Sequence, residues 1–104
     1  MKKYRVSFSA KAQDDLRRCV DYLKNEKHNP YAARNVFNDC NDSKKKLSYL
    51  ADSLPVPDDP ELKKRGLKRM NFMKHDYFML FAIDGDTVVI TNIFHAGEDY
   101  ENKL

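Results

Sequence analysis

The first residues of the chain alternate between polar and apolar positions, which is typical of a strand with one buried face. Tyr4, Val6 and Phe8 are the apolar members of this alternation and predict the first strand. The period then changes to that of an amphipathic helix. Its apolar residues recur at steps of three and four: Ala12, Leu16, Cys19, Val20 and Leu23. Ser9 is placed to cap this helix, which we expect to run to about Lys27.

A second helix is predicted to begin at Asn29-Pro30, because asparagine caps helices well and proline is favoured at the first helical position. Lys44, Lys45 and Lys46 lie mostly on its expected solvent side. Its apolar stripe consists of Ala33, Val36, Phe37, Cys40, Leu47, Leu50 and Leu54. Two amphipathic helices joined by so short a break predict an antiparallel helical hairpin.

The second half of the chain predicts a loop followed by three strands. Pro55, Pro57 and Pro60 fall within six residues, and proline's missing amide hydrogen argues against helix or central strand there. Beyond Gly66, turn residues separate strand-like segments at 67–73, 77–83 and 87–95, with Asp84-Gly85-Asp86 as the second hairpin turn.

The predicted order is therefore strand, helix, helix, strand, strand, strand, without internal repeats. This order favours a single α+β domain over residues 1–104, with a mainly antiparallel four-stranded sheet and the helical hairpin packed on one face. The other sheet face is expected to remain open to a partner or substrate.

Positive charge is concentrated in one short stretch of the chain. The net charge of the 104 residues is only +3, whereas residues 63–75 carry +6 without a carboxylate. The cations of this stretch are Lys63, Lys64, Arg65, Lys68, Arg69 and Lys74. Such a local stripe suits binding to phosphates or to an acidic peptide. The structural alternative is a solvated strand edge whose lysines oppose aggregation.

Several kinds of site are not indicated. No apolar run reaches the roughly 18 residues of a membrane span, and the start does not resemble a signal peptide, so we expect a cytoplasmic protein. Cys19 and Cys40 lack CxxC spacing and are expected to be buried free thiols. The three histidines lack metal-ligand spacing and no phosphate-binding loop occurs, so neither a metal nor a cofactor is expected.

The end of the last predicted strand carries groups that can exchange protons. If His95 and Tyr100 lie beside the cations of the second strand, the site would suit attack of an RNA 2′-hydroxyl on its neighbouring phosphate. Arg69 is favoured over Lys68 there, because Lys68 shares its strand face with apolar residues that look like core. Purely structural roles for His95 and Tyr100 are the alternative.

Several short motifs occur together in a familiar order. They are Ser9-Ala10-Lys11-Ala12 leading into Asp15-Leu16, Asp21-Tyr22, Pro30 with Ala32-Ala33, Leu54-Pro55, Arg69, Asp76-Tyr77, Val88-Val89-Ile90 through Ile93 to His95, and Asp99-Tyr100. With this order and spacing, residues 3–100 resemble the RelE/ParE superfamily of toxins from bacterial type II toxin–antitoxin systems. The resemblance implies the architecture predicted above and growth inhibition that is relieved by a cognate antitoxin.

The resemblance also implies partners. An antitoxin with an acidic or amphipathic segment is expected to wrap the toxin in a hetero-oligomer, and an uncovered sheet face beside a basic stripe would favour it. The candidate residues for antitoxin or target binding are Lys63, Lys64, Arg65, Lys68 and Lys74.

The superfamily divides by target. ParE-like members poison DNA gyrase, and RelE-like members cut messenger RNA on the ribosome. Phe78 stands where RelE-like sequences commonly carry arginine, and the long proline-rich loop is ParE-like, so the gyrase alternative is favoured. If the chain is instead a metal-independent ribonuclease, the resemblance makes His95, Tyr100 and Arg69 the catalytic candidates. Whether it is an enzyme stays open, and a non-toxic interaction module is a further alternative.

Overall fold

The helices and strands follow the predicted order, with one short helix added. The computed structural model describes residues 2–104. Its elements are β1 (Arg5–Phe8), α1 (Ala10–Asp21), α2 (Pro30–Leu50), α3 (Pro60–Lys64), β2 (Lys68–Asn71), β3 (Tyr77–Asp84) and β4 (Thr87–His95). Single helical turns follow α1 (Tyr22–Glu26), α2 (Ala51–Ser53) and β4 (Tyr100–Asn102). The predicted α+β architecture is confirmed, with element ends shifted by a few residues.

The four strands form one mixed sheet in the order β1-β4-β3-β2. The β2–β3 and β3–β4 pairs are antiparallel, and β1 lies parallel to β4 with Arg5 opposite Thr87. Gly85 takes a φ of +60° in the two-residue turn between β3 and β4, a conformation that glycine adopts without strain. Thr91 is an extra residue in β4, since Phe81 pairs with Ile90 and Leu80 with Asn92. This bulge changes the course of β4 at its midpoint.

Both long helices begin where the sequence predicts. The Ser9 hydroxyl accepts the Ala12 amide at 3.1 Å, and the Asn29 side-chain oxygen accepts the Ala32 amide at 3.0 Å. The turn at 22–26 is π-helical, so the helical path continues beyond α1 to about Lys27 as expected. Within residues 2–104, no helix is long and apolar enough to cross a membrane.

The main core fills the space between the helical hairpin and one face of the sheet. Helical residues such as Leu16, Val36 and Leu47 pack there against the apolar strand residues Met79 and Phe81. Both cysteines are free thiols, as predicted, although Cys19 is only partly buried.

The opposite sheet face is also covered, so the expectation of an open face was wrong. A second apolar cluster occupies it, built from the buried residues Leu62, Leu67, Phe78, Leu80 and Phe94, with Tyr100 and Leu104 packed against them. The segment after β4 and the segment before β2 both return across this face. Burial of these side chains keeps their apolar surface from water, which stabilises the covering segments.

The proline-rich segment is not entirely loop, contrary to the prediction. Pro60 occupies the first turn of α3, where its missing amide hydrogen costs nothing. The Asp59 carboxylate caps this helix by accepting the amides of Glu61 at 2.8 Å and Leu62 at 3.2 Å. The short helix thereby places the fully buried Leu62 on the second cluster.

Candidate functional site

An open groove of about 870 Å³ lies between the C-terminal half of α1, the helical turn that follows it, and the end of β4. Its floor is largely apolar and aromatic, with Cys19, Tyr22, Leu23, Tyr77, Ile93 and Phe94. Its other lining residues are charged or titratable: Lys11, Asp15, Arg18, Lys27, His95, Glu98 and Lys103. An apolar floor with an excess of cations at the rim is suited to a peptide or protein surface that presents apolar side chains and carboxylates.

A buried carboxylate fixes the wall of this groove. Asp15, on α1, accepts the backbone amide of Ile93 at 3.0 Å and so ties the helix to β4 just beyond the bulge. Its second oxygen accepts a hydrogen bond from Arg18 at 2.6 Å and another from Lys11. Because Asp15 is only 5% exposed, its charge needs these partners. The pairing also holds the two cations at the groove's rim.

His95, the last residue of β4, lies at the other side of the groove. Its Nδ1 accepts the Gly97 amide at 3.1 Å. The ring packs edge-on against Tyr77, with centroids 5.1 Å apart. Burial tends to raise the pKa of the Glu98 carboxyl, but hydrogen bonds from Lys103 and from the His95 amide outweigh it and hold the pKa below its ordinary value.

Tyr100 lies on the other side of the sheet from His95. Its ring packs against Phe78 and Phe94 in the second cluster, with centroid distances of 5.6 and 6.0 Å. Its hydroxyl donates to Asp59 at 2.5 Å. That hydrogen bond, with a contribution from burial, raises the pKa of Tyr100 to about 12. The phenol is therefore engaged in holding the C-terminal segment to the cap of α3.

Arg69 shares the Tyr100 face. Its guanidinium lies 3.8 Å from the centre of the Phe78 ring, and its Nε donates to Asn71 at 2.9 Å. The structure therefore brings Arg69 near Tyr100, with Phe78 between them, and does not bring His95 to either. The three groups that the sequence suggested as one ribonuclease constellation are divided by the sheet.

Residues 6–100 match the family described as ParE toxin of type II toxin–antitoxin system, parDE. The chain belongs to this family. The match spans the three α-helices and the sheet from Val6 onward, and it ends at Tyr100, the first residue of the last helical turn.

A solved structure agrees with this toxin in fold. The chain from the chromosomal ParDE toxin–antitoxin system of P. aeruginosa superposes with a TM-score of 0.70 at 19% sequence identity, covering 89% of this chain and 96% of that one. At this identity the likeness concerns the fold. No curated protein sequence matches the toxin.

The basic residues between 63 and 75 do not form one patch of equivalent side chains in the toxin. Lys63 and Lys64 are exposed at the end of α3, and Arg65 forms an ion pair with Glu61 at 3.6 Å. Lys68 instead turns inward, where its amine donates to the carbonyls of Leu54 at 2.8 Å and Ala51 at 3.4 Å. These two bonds satisfy carbonyl groups at the end of the turn after α2.

Lys74 lies in the loop between β2 and β3, which α2 holds in place. Its backbone amide donates to the buried Asp39 carboxylate at 3.0 Å, while its side chain is exposed. In the part of the chain that the structure describes, no three histidine, cysteine or acidic side chains are grouped as metal ligands.

Sequence reasoning missed the groove, because its walls come from residues 11–27 and 77–103. One local signal was present. Lys11, Asp15 and Arg18 have the three- and four-residue spacing that places side chains together on a helix. Asp15 lies beside the apolar stripe of α1, and a carboxylate there indicates a buried acceptor with cations nearby.

Proposed function

We propose that this ParE-family toxin stops bacterial growth by binding DNA gyrase, and that a cognate antitoxin keeps it inactive. The family match supports the toxin class. The choice of gyrase follows the ParE-like features of the sequence, namely Phe78 and the long segment before β2.

The observation that carries this choice is the division of the candidate proton-transfer groups by the sheet. General acid–base cleavage of RNA needs a proton acceptor, a proton donor and cations around one phosphate. His95 faces the groove, whereas Tyr100 and Arg69 belong to the opposite face. Tyr100 is further occupied by Asp59. These positions favour inhibition by binding over catalysis.

Two surfaces are proposed to meet the protein partners. The groove offers an apolar floor and a cationic rim to the target. The exposed cations at the end of α3, Lys63, Lys64 and Arg65, provide a second surface for target or antitoxin. Lys74 is exposed beyond the other end of β2, and Lys68 supports the fold from within. A positively charged face accelerates encounter with negatively charged partners.

The target is tested by assaying the purified toxin against gyrase and mapping messenger RNA ends in cells that express it. We expect loss of plasmid supercoiling or trapped DNA breaks, with translated messages intact. Discrete cuts in translated messages with normal supercoiling would overturn the proposal in favour of a ribosome-dependent ribonuclease. Growth unaffected by expression would indicate a non-toxic interaction module.

Two matched variants, each of which removes one positive charge, test whether the groove contacts gyrase. Lys27 lines it, with its amine 5.8 Å from the centre of the Tyr22 ring, and Lys24 is exposed on the same turn outside the lining. Because one exposed ion pair contributes roughly 0.2–1 kcal/mol, Lys27→Gln should raise the toxin concentration for half-inhibition of gyrase by about 1.4-fold to fivefold. Lys24→Gln should leave it unchanged. Equal effects would exclude the groove as the contact surface without excluding gyrase as the target.

A further inference from the structure

The free edge of β1 has backbone groups directed away from the sheet. Among the described residues, β1 pairs with β4 and with no other strand, and in a parallel ladder alternate residues of a strand bond to a given neighbour. The amides of Arg5 and Ser9 donate to the carbonyls of Asp86 and Ile90, both at 2.9 Å. By the same alternation the Ser7 amide faces β4, so the amides of Val6 and Phe8 point outward.

Intramolecular contacts close the two ends of this edge. The Tyr4 amide donates to the Ser48 carbonyl of α2 at 2.8 Å. At the other end, the Gln13 side chain donates to the Phe8 carbonyl at 3.4 Å. Among residues 2–104, no hydrogen bond is found to the amide or carbonyl of Val6 outside the strand ladder. One extended segment of about four residues fits the length of this edge, given the usual rise of a strand.

A cationic cleft of about 500 Å³ lies between this edge and α2. It is lined by Lys3, Val6, Asn41, Lys44, Lys45, Ser48 and Tyr49, and so holds three lysines and no carboxylate. The Lys44 amine lies 4.9 Å from the centre of the Phe8 ring. Within the described chain, none of the three lysines forms an ion pair, whereas other cations such as Lys2 and Lys103 do.

We propose that this cleft binds an extended, carboxylate-bearing segment of a partner protein, which adds to the sheet as a fifth strand beside β1. The outward groups of Val6 and Phe8 supply main-chain hydrogen bonds, and alternate acidic side chains of the segment meet Lys3, Lys44 and Lys45. A second copy of β1 is disfavoured as occupant, because it would bring the same lysines against each other. The site lies apart from the groove, and its test does not depend on toxicity.

The probe is a five-residue peptide of alternating glutamate and valine with blocked ends, titrated into the isotope-labelled toxin and followed by NMR. Saturable shifts are expected at the Val6 and Phe8 amides. At saturation, hydrogen exchange of these amides should slow by about tenfold, because they become paired. The Ser7 amide, which faces β4, is the internal control and should keep its exchange rate. Shifts confined to the groove, or no saturable shift, would overturn the proposal.

Charge is tested with a peptide in which lysine replaces glutamate and with two matched variants. The lysine peptide should not bind. The variant Lys45→Gln should weaken binding roughly twofold, in line with the small value of one exposed ion pair. Lys46→Gln removes the same charge from the same helix outside the cleft and should leave affinity unchanged. Equal weakening by Lys45→Gln and Lys46→Gln would show that only net charge matters and would contradict the cleft.

The variant Val6→Pro distinguishes strand addition from simple charge attraction. This change removes an outward amide hydrogen but no bond to β4, and proline is tolerated at such edge positions. The folded variant, verified by its NMR spectrum, should lose peptide binding. Retained binding would refute strand addition. If this variant does not fold, the exchange rates of Val6 and Ser7 in the unaltered toxin decide the same question. Concentration-dependent dimerisation in which β1 edges pair would assign the edge to a second copy and also overturn the proposal.

Discussion

Replacing Asp39 with alanine should destabilise the toxin by about 3 kcal/mol, because this carboxylate holds the loop between β2 and β3 against α2. Asp39 is 3% exposed. It accepts the backbone amides of Lys74 at 3.0 Å and His75 at 2.9 Å, and it contacts Nδ1 of His75 at 2.7 Å. Ser43, one turn further along α2, accepts the Met73 amide at 3.2 Å and holds the same loop.

The magnitude follows from counting the partners that Asp39→Ala removes. Each of the two amides loses a charged acceptor, and about 1 kcal/mol is assigned to each because water can reach part of the loop. Loss of the His75 contact adds about 1 kcal/mol more. With a urea dependence of about 1.5 kcal/mol per molar, the unfolding midpoint should fall by about 2 M.

The assay is urea unfolding followed by circular dichroism, with Asp42→Ala as the control. Asp42 is an exposed residue on the same helix, and its replacement should change stability by less than about 0.5 kcal/mol. The reasoning is refuted if Asp39→Ala costs less than about 1 kcal/mol, or if the control costs as much.

Lowering the pH should remove the stabilising contribution of the same carboxylate. Burial alone would raise the pKa of Asp39, but the hydrogen bonds from the His75 ring and from the two amides outweigh burial and lower it. A carboxyl whose pKa is lower in the folded state stabilises the fold above its unfolded pKa of about 3.9, and this contribution is lost as the pH falls through the folded pKa. The stability difference between the toxin and Asp39→Ala should therefore be full at pH 5 and shrink below about pH 4.

Two further predictions concern other buried groups. Leu62→Ala should lower the free energy of unfolding in the urea assay by about 2–3 kcal/mol, because Leu62 is 2% exposed in the second cluster. Val56→Ala, at an exposed position, is the control. A cost of Leu62→Ala below about 1 kcal/mol would contradict a second core. Desolvation raises the pKa of Cys19 to about 11 and that of Cys40 to about 12. In the folded toxin at pH 8, both thiols should therefore react with an aromatic disulfide at least about a hundredfold more slowly than free cysteine, and Cys40 more slowly than Cys19. Rapid reaction without denaturant would show that these thiols are not shielded.

The parts of the fold that could be predicted are those determined by neighbouring residues. Ser9 and Asn29 cap helices because each cap bonds an amide three residues ahead. β3 and β4 could also be predicted locally, because the turn Asp84-Gly85-Asp86 separates them. The parallel pairing of β1 with β4 was not predicted, since it joins residues more than 80 positions apart in the chain. Such pairings are chosen by the packing of the whole domain.

The apolar cluster on the second sheet face was not predicted, because the prediction there rested on the number of prolines. Three prolines suggested a loop, but Asp59-Pro60 is also a helix start, and the local cap determined the structure there. Tyr100 and Leu104 then complete the cover from the far end of the chain. Their apolar side chains gave no sign of the direction in which the chain turns after β4.

The candidate site was predictable only in part. The sequence identified the basic residues 63–75 but treated them as alike, whereas Lys68 points inward and Arg69 lies on an aromatic ring. It also placed His95 and Tyr100 together because they are five residues apart. The turn at 96–99 carries the chain around the sheet, so nearness in sequence became separation in space.

The pairing of the first strand with the last also governs when this protein acquires its surfaces during synthesis. β1 is synthesised before β4, so it has no strand to join until β4 follows it. The groove also forms late. α1, which supplies one wall, is synthesised early, whereas residues 93–103, which supply the other, follow much later. Contacts between residues so distant in sequence also form slowly. The nascent toxin therefore lacks the β1–β4 pairing and the complete groove until β4 and residues 93–103 have been synthesised, which gives a cell an interval in which the chain exists without them.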